Sequence, residues 1–195
     1  MPHLNHRHHH RTHRSILAGT VCLALGVLNG VTPAHAAVNC VVSFGVTQDA
    51  TQDGAITVSN GHELSVVNSK IYGAVTSTSS APFTFCHSST VRGAISVASS
   101  MNYVLIGDNG LACPANVIDG AVTLDSNKGG VRLGGNSTAA VTASGNVASS
   151  GTIIENNHIG GKLTCTGNTP APVNNGHGNT VSGAREGQTC ASGTF

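Results

Sequence analysis

Apolar and polar positions alternate along this chain in short blocks that return about every twenty residues. Each block opens on Gly-Ala-(Ile/Val)-(Thr/Ser): Gly54-Ala55-Ile56-Thr57, Gly73-Ala74-Val75-Thr76, Gly93-Ala94-Ile95-Ser96 and Gly120-Ala121-Val122-Thr123. Weaker copies open at Ala139, Gly161 and Gly183, so the anchors lie 19, 20, 27, 19, 22 and 22 residues apart. Counted from the anchor, positions −2, 0, +2 and +4 carry sets such as Val91, Gly93, Ile95 and Val97, or Ile118, Gly120, Val122 and Leu124. Period-two alternation places such a set on one side of a strand, facing inward. A second apolar pair follows near +10 and +12: Leu64/Val66, Phe83/Phe85, Tyr103/Leu105, then Val131/Leu133 one place later and Ile153 later still.

Between the two strands, at +6 or +7, stand Ser79-Ser80, Ser99-Ser100, Asn127, Gly145-Asn146 and Gly167-Asn168. Asn and Gly accept the left-handed backbone of a tight corner, and stacked copies would run side-chain amides along one edge. After Ala37 no segment carries an apolar stripe at helical spacing. A repeat of this length, with strands and no helices, predicts an all-β chain folded as a parallel β-helix. About seven coils of about 20 residues are expected, making a rod on the order of 30 Å long. The crossover rule for parallel strands gives a right-handed winding.

The first 36 residues fall outside this pattern. Arg7, Arg11 and Arg14 form a basic start, Ile16 to Val31 is apolar, and Ala34-His35-Ala36 has the form of a cleavage signal. The segment reads as a signal peptide (1–36) ahead of a β-helix domain (37–195), which places the mature chain in an exported, extracellular or envelope setting. The apolar run is too short and Gly-rich for a membrane span, so no transmembrane segment is expected in the mature chain. Residues Gly19-Thr20-Val21 before Cys22 make a poor lipid-attachment signal. Six histidines between His3 and His13 belong to the leader and would leave with it.

Removing three arginines from nine basic residues leaves six against eight acids, a mature net charge of −2. That excludes the basic surface of a nucleic-acid binder. Aromatic residues are 3% with no Trp, which weighs against sugar sites built on stacked indoles.

Five cysteines remain after the leader, and an exported chain is expected to oxidise them. Cys86 and Cys113 each precede an anchor by seven residues. They should therefore stack one coil apart, within reach of a disulfide. Cys165 and Cys190 are the next pair, and Cys40 is left to be free or to join another chain.

Chemistry is harder to place. No C-x-x-C pair suggests zinc, and Asp108-Asn109-Gly110 lacks the further spaced carboxylates of a calcium loop. The eight acids show no pair in register from coil to coil, as a polysaccharide lyase or hydrolase would need. No catalytic residue, metal or cofactor is therefore assigned. The 27-residue interval holds about seven extra residues around Ile106 to Cys113, and insertions of this kind form loops on one side of a solenoid.

The tail Asn157-His158-Ile159-Gly160-Gly161-Lys162-Leu163-Thr164-Cys165-Thr166-Gly167-Asn168-Thr169-Pro170-Ala171-Pro172, with Asn179-Thr180-Val181-Ser182-Gly183 before Cys190, resembles small exported proteins of high-GC Gram-positive bacteria with Val-x-Gly-Asn-Val repeats. The resemblance spans roughly Gly54 to Cys190. It implies export and a β-helical fold, and it transfers no active site. The chain departs from it in carrying Ala where such repeats often carry Asn.

The remaining candidate is a surface. Outward position +1 is Ala55, Ala74, Ala94, Ala121 and Ala140; outward position +3 is Thr57, Thr76, Ser96, Thr123 and Thr142. In register they would form a charge-free Ala column beside a Thr/Ser column. Such a face suits cell-wall polysaccharide, another ordered surface such as ice, or a second copy of the chain. The plainer explanation is that small residues and Thr suit exposed strands. The expected role is a non-catalytic structural or surface-interaction protein, with a carbohydrate-active or carbohydrate-binding β-helix as the alternative.

Overall fold

A computed structural model describes residues 20–23, 39–42, 45–48 and 51–195, except 59, 109 and 111; the first three segments are described as backbone strands only. The expected parallel β-solenoid is observed, with one short 3-10 turn, Gln188–Ala191, as its only helical element among the described residues. Three faces, not two, make each coil. The first face stacks Ile56–Val58, Val75–Thr78, Ile95–Ala98, Val117–Asp125, Ser137–Ser144, Leu163–Thr166 and Arg185–Glu186. The second stacks Thr51–Gln52, Lys70–Ile71, Thr90–Val91, the leading ends of the two long strands, His158–Ile159 and Thr180–Val181. The third is a six-stranded sheet from Gly45–Gln48 through Leu64–Val67, Phe83–Cys86, Val104–Ile106 and Val131–Gly134 to Thr152–Glu155. Six strands on that face correspond to about six turns, fewer than the seven expected: Gly45–Gln48 precedes the first anchor, five strands follow the anchors from Gly54 to Ala139, and no third-face strand follows Gly161 or Gly183.

The second face exists because the chain bends at each anchor. Positions −2 and +2 both point inward but belong to different faces, so the anchor itself is a corner. Consecutive coils touch there. A Cβ at Gly73 would stand 2.3 Å from the Ala55 nitrogen, and one at Gly93 2.6 Å from the Ala74 nitrogen. The one coil with alanine at the anchor, Ala139, is where the pairing slips by one residue, between Ile118 and Ala121.

The interior is a set of stacked apolar columns. Ile56, Val75, Ile95, Val122, Val141 and Leu163 form one in register, and Leu64, Phe83, Val104 and Val131 another; all are buried. Here one expectation is corrected. Val104 and Ile106, not Tyr103 and Leu105, enter the core, and Ile154 does so rather than Ile153. The corner residue Ser80 precedes the inward Phe83 by three residues, whereas Ser100 precedes Val104 by four. That extra residue reverses the alternation and turns Tyr103 out, 42% exposed.

The polar corners are buried as ladders. At +6 the backbone is left-handed in five successive coils, at Ser79, Ser99, Ser126, Gly145 and Gly167, with φ between 52° and 63°. This aims the next residue inward. Asn127, Asn146 and Asn168 each accept the backbone N–H of the corner residue one coil before, and Gln188 closes the stack by accepting from Asn168. A second ladder, Asn116, Asn136, Asn157 and Asn179, runs along another corner. Toward the N-terminus both ladders change to serine, at Ser100 and Ser89.

Three buried hydroxyls, Ser77, Ser80 and Thr152, have no hydrogen-bond partner among the described residues. Ser77 sits in the core column between Val58 and Val97. An unpaired buried hydroxyl is destabilising, so Ser77→Ala should raise stability by about 1 kcal/mol. A urea midpoint that fails to rise, at unchanged slope, would show that the hydroxyl is satisfied after all.

Of residues 1–36, only Thr20–Leu23 is described, as a strand antiparallel to Asn39–Val42 with Cys22 opposite Cys40. The basic start, the histidines and the cleavage signal lie outside the described residues. No helix among the described residues is long and apolar enough to cross a membrane.

Candidate functional site

The first face carries the Ala and Thr/Ser columns in register. Thr57 pairs with Thr76, Thr76 with Ser96, Ser96 with Thr123, Thr123 with Thr142, and Thr142 with Thr164. Ala121 pairs with Ala140, and Ala55, Ala74 and Ala94 hold the same position in the coils before. All ten side chains, from Ala55 and Thr57 to Ala140 and Thr142, are exposed or half-buried. With strands about 4.8 Å apart and alternate residues about 6.8 Å apart, they make a regular lattice. Charge enters only at its borders. Asp125 lies one outward position beyond Thr123 and accepts a hydrogen bond from Ser144 Oγ. The last coil carries the Lys162–Glu186 ion pair, 2.5 Å. Around the corner Arg92 meets Asp119 at 2.7 Å.

Cys86 is bonded to Cys113 across one coil, with Cα atoms 4.7 Å apart, and Cys165 to Cys190 with Cα atoms 5.8 Å apart. Both pairings match expectation. The first bond pins the insertion loop. Within that loop Gly107 N–H donates to Phe85 O at 2.8 Å and Asp108 N–H to Cys113 O at 2.6 Å.

That loop builds a charged cluster on the outside of the third face. Glu155 points outward along its strand, yet it is 1% exposed. The insertion loop and the C-terminal loop around Asn175 cover it. Arg132, one coil earlier, donates to Glu155 Oε1 from Nη2 at 2.5 Å and from Nε at 3.2 Å. The same Nη2 reaches Asp108 Oδ1 at 3.1 Å. Asn175 Nδ2 donates to Glu155 Oε2 at 3.1 Å. Asp108, Gly110, Arg132, Glu155, Asn175 and His177 line an open cleft of about 330 Å³, and Tyr103 lies against Arg132.

Two acids nevertheless converge out of register: Asp108 and Glu155 meet on Arg132. They share no repeat position, because Asp108 comes from the insertion. The hydrogen bond that Arg132 donates to Glu155, with that carboxylate's charge, holds the guanidinium more firmly protonated than usual. Burial pushes the Tyr103 phenol up from its ordinary range. No group of three or more metal-ligating side chains occurs among the described residues. The cluster left one trace in the sequence: the unusually long interval that delivers Asp108. No protein-family model, curated protein or solved structure matches the chain.

Proposed function

We propose that this chain is an exported, non-catalytic surface-interaction module that docks an ordered polysaccharide surface through its Ala/Thr face. The observation that carries the reading is the Thr/Ser column from Thr57 to Thr142, paired strand by strand and, with the Ala column beside it, uncharged over five coils. A rigid row of hydroxyls at a fixed repeat, bordered by methyl groups, offers hydrogen bonds and apolar contact at regular intervals. The solenoid fixes the side chains before contact, so little ordering entropy opposes binding. The leader and the two disulfides support an oxidising, extracellular or envelope setting.

The chemistry of the cleft supports a non-catalytic role. A base taken from Arg or Tyr must be able to lose its proton near neutral pH. Arg132 and Tyr103 are both shifted the other way. Both Glu155 oxygens are engaged, one by Arg132 and one by Asn175.

The test is a double substitution, Thr76→Lys with Thr123→Lys. Both side chains point outward, so the fold should persist. Retention on insoluble cell-wall polysaccharide should fall at least tenfold. If retention, self-association and ice shaping all match the parent chain, the face is only a wall of the rod. Sustained release of reducing or unsaturated ends from a polysaccharide panel would overturn the non-catalytic reading.

A further inference from the structure

We propose that the cleft between the insertion loop and the C-terminal loop binds a neutral sugar unit, at a site separate from the Ala/Thr face. Four features point to it.

The described residues of both walls are tied to the fold. The Cys86–Cys113 bond and the backbone bonds of Gly107 and Asp108 hold one wall. The other is tied to the last strand of the third face: Val173 N–H donates to Thr152 O at 3.0 Å, and Asn156 N–H to His177 O at 3.0 Å. The site therefore needs little ordering when a ligand enters.

The floor is rigid and polar. Arg132 is locked between Asp108 and Glu155, and Glu155 is also held by Asn175. At the lip, the Asp108 carboxylate accepts, Asn175 both donates and accepts, and His177 is exposed. Sugar hydroxyls each donate and accept, so they match such a mixed set. An aromatic ring stands beside it: Tyr103 packs where Gly130 leaves room, a Cβ there falling 2.7 Å from the ring. The ring lies behind Arg132 rather than on the cleft wall, and it backs the guanidinium that forms the floor.

Charge and size narrow the ligand. Two carboxylates, Asp108 and Glu155, face one guanidinium, so acidic groups outnumber the fixed cation and disfavour an acidic glycan. Its volume of about 330 Å³ lies at the lower end of ligand pockets. That is room for one ring, with the chain of a longer glycan leaving through the open side.

The experiment is a titration of the full, ¹⁵N-labelled oxidised chain with cello-, malto- and chito-oligosaccharides, and with oligogalacturonate as the acidic comparison. At least one neutral series should shift the amides of Gly110, Arg132, Asn175 and His177 in a saturable way. Asp108→Asn and His177→Ala should each weaken that binding about tenfold, while the Thr76→Lys/Thr123→Lys chain binds as before. The proposal is overturned if no neutral series moves these amides, if oligogalacturonate binds more tightly, or if both cleft variants bind unchanged. Because the two sites are probed by different substitutions, failure here leaves the reading of the Ala/Thr face untouched.

Discussion

Asn146→Leu is expected to cost about 3–6 kcal/mol, a large part of the roughly 5–15 kcal/mol that stabilises a domain. Asn146 is fully buried. Its Oδ1 accepts from Asn127 N–H at 3.0 Å and from Asn127 Nδ2 at 2.9 Å. Its Nδ2 donates to Leu124 O at 2.9 Å and to Asn168 Oδ1 at 2.7 Å. Leucine fills a similar volume but answers none of these groups. At least three polar atoms in two coils then lose a partner where water does not reach, each at about 1–3 kcal/mol. Asn146→Ser should cost markedly less, because serine hydroxyls already accept a backbone N–H in the other ladder, as Ser89 does from Ser69. Urea midpoints of the two variants check this. A leucine variant within about 1 kcal/mol of the parent would show that the ladder contributes geometry rather than stability.

Removing the buried carboxylate should be the next most damaging change. Glu155→Ala takes away the strongest partner of Arg132 and the contact that holds Asn175. Breaking a buried pair from one side costs about 3–5 kcal/mol. Arg132 is 28% exposed and keeps Asp108, so about 3 kcal/mol is expected. The C-terminal loop should loosen with it, and limited proteolysis should cut near Asn174–Gly178. Replacing both partners with apolar residues, Arg132→Met with Glu155→Leu, should recover most of the loss, since an apolar pair of similar volume is often as stable. Failure of the double variant to recover would mean that the charges hold the loops in a way packing cannot.

The two experiments probe features that are unequally legible in the sequence. The corner amides Asn127, Asn146 and Asn168 stand at a fixed distance after their anchors, so their stacking follows from the period. The second ladder is nearly as regular: Ser69, Ser89, Asn116, Asn136, Asn157 and Asn179 precede their anchors by three or four residues. It was missed because the residue type changes along the column and one coil slips by a residue. The bend at the anchor was missed for another reason. Alternation continues straight through it, and only the close approach of Gly73 to the preceding coil reveals a corner. Tyr103 shows the limit of phase counting, since one added residue in the preceding turn inverted which side chains were buried.

Periodicity alone determined the solenoid, the inward column of the first face, the register of the Thr/Ser face and the Cys86–Cys113 bond. Each depends on residues that share a phase, and stacking turns shared phase into contact. Only the tertiary structure decided the cleft. Asp108, Arg132 and Glu155 lie 24 and 23 residues apart without sharing a position in the repeat. Their meeting depends on how an insertion with no period folds back over the third face, and on a C-terminal loop that closes above it. Once both loops cover Glu155, its charge has lost water and must find a cation, and Arg132 is the one the fold places within reach.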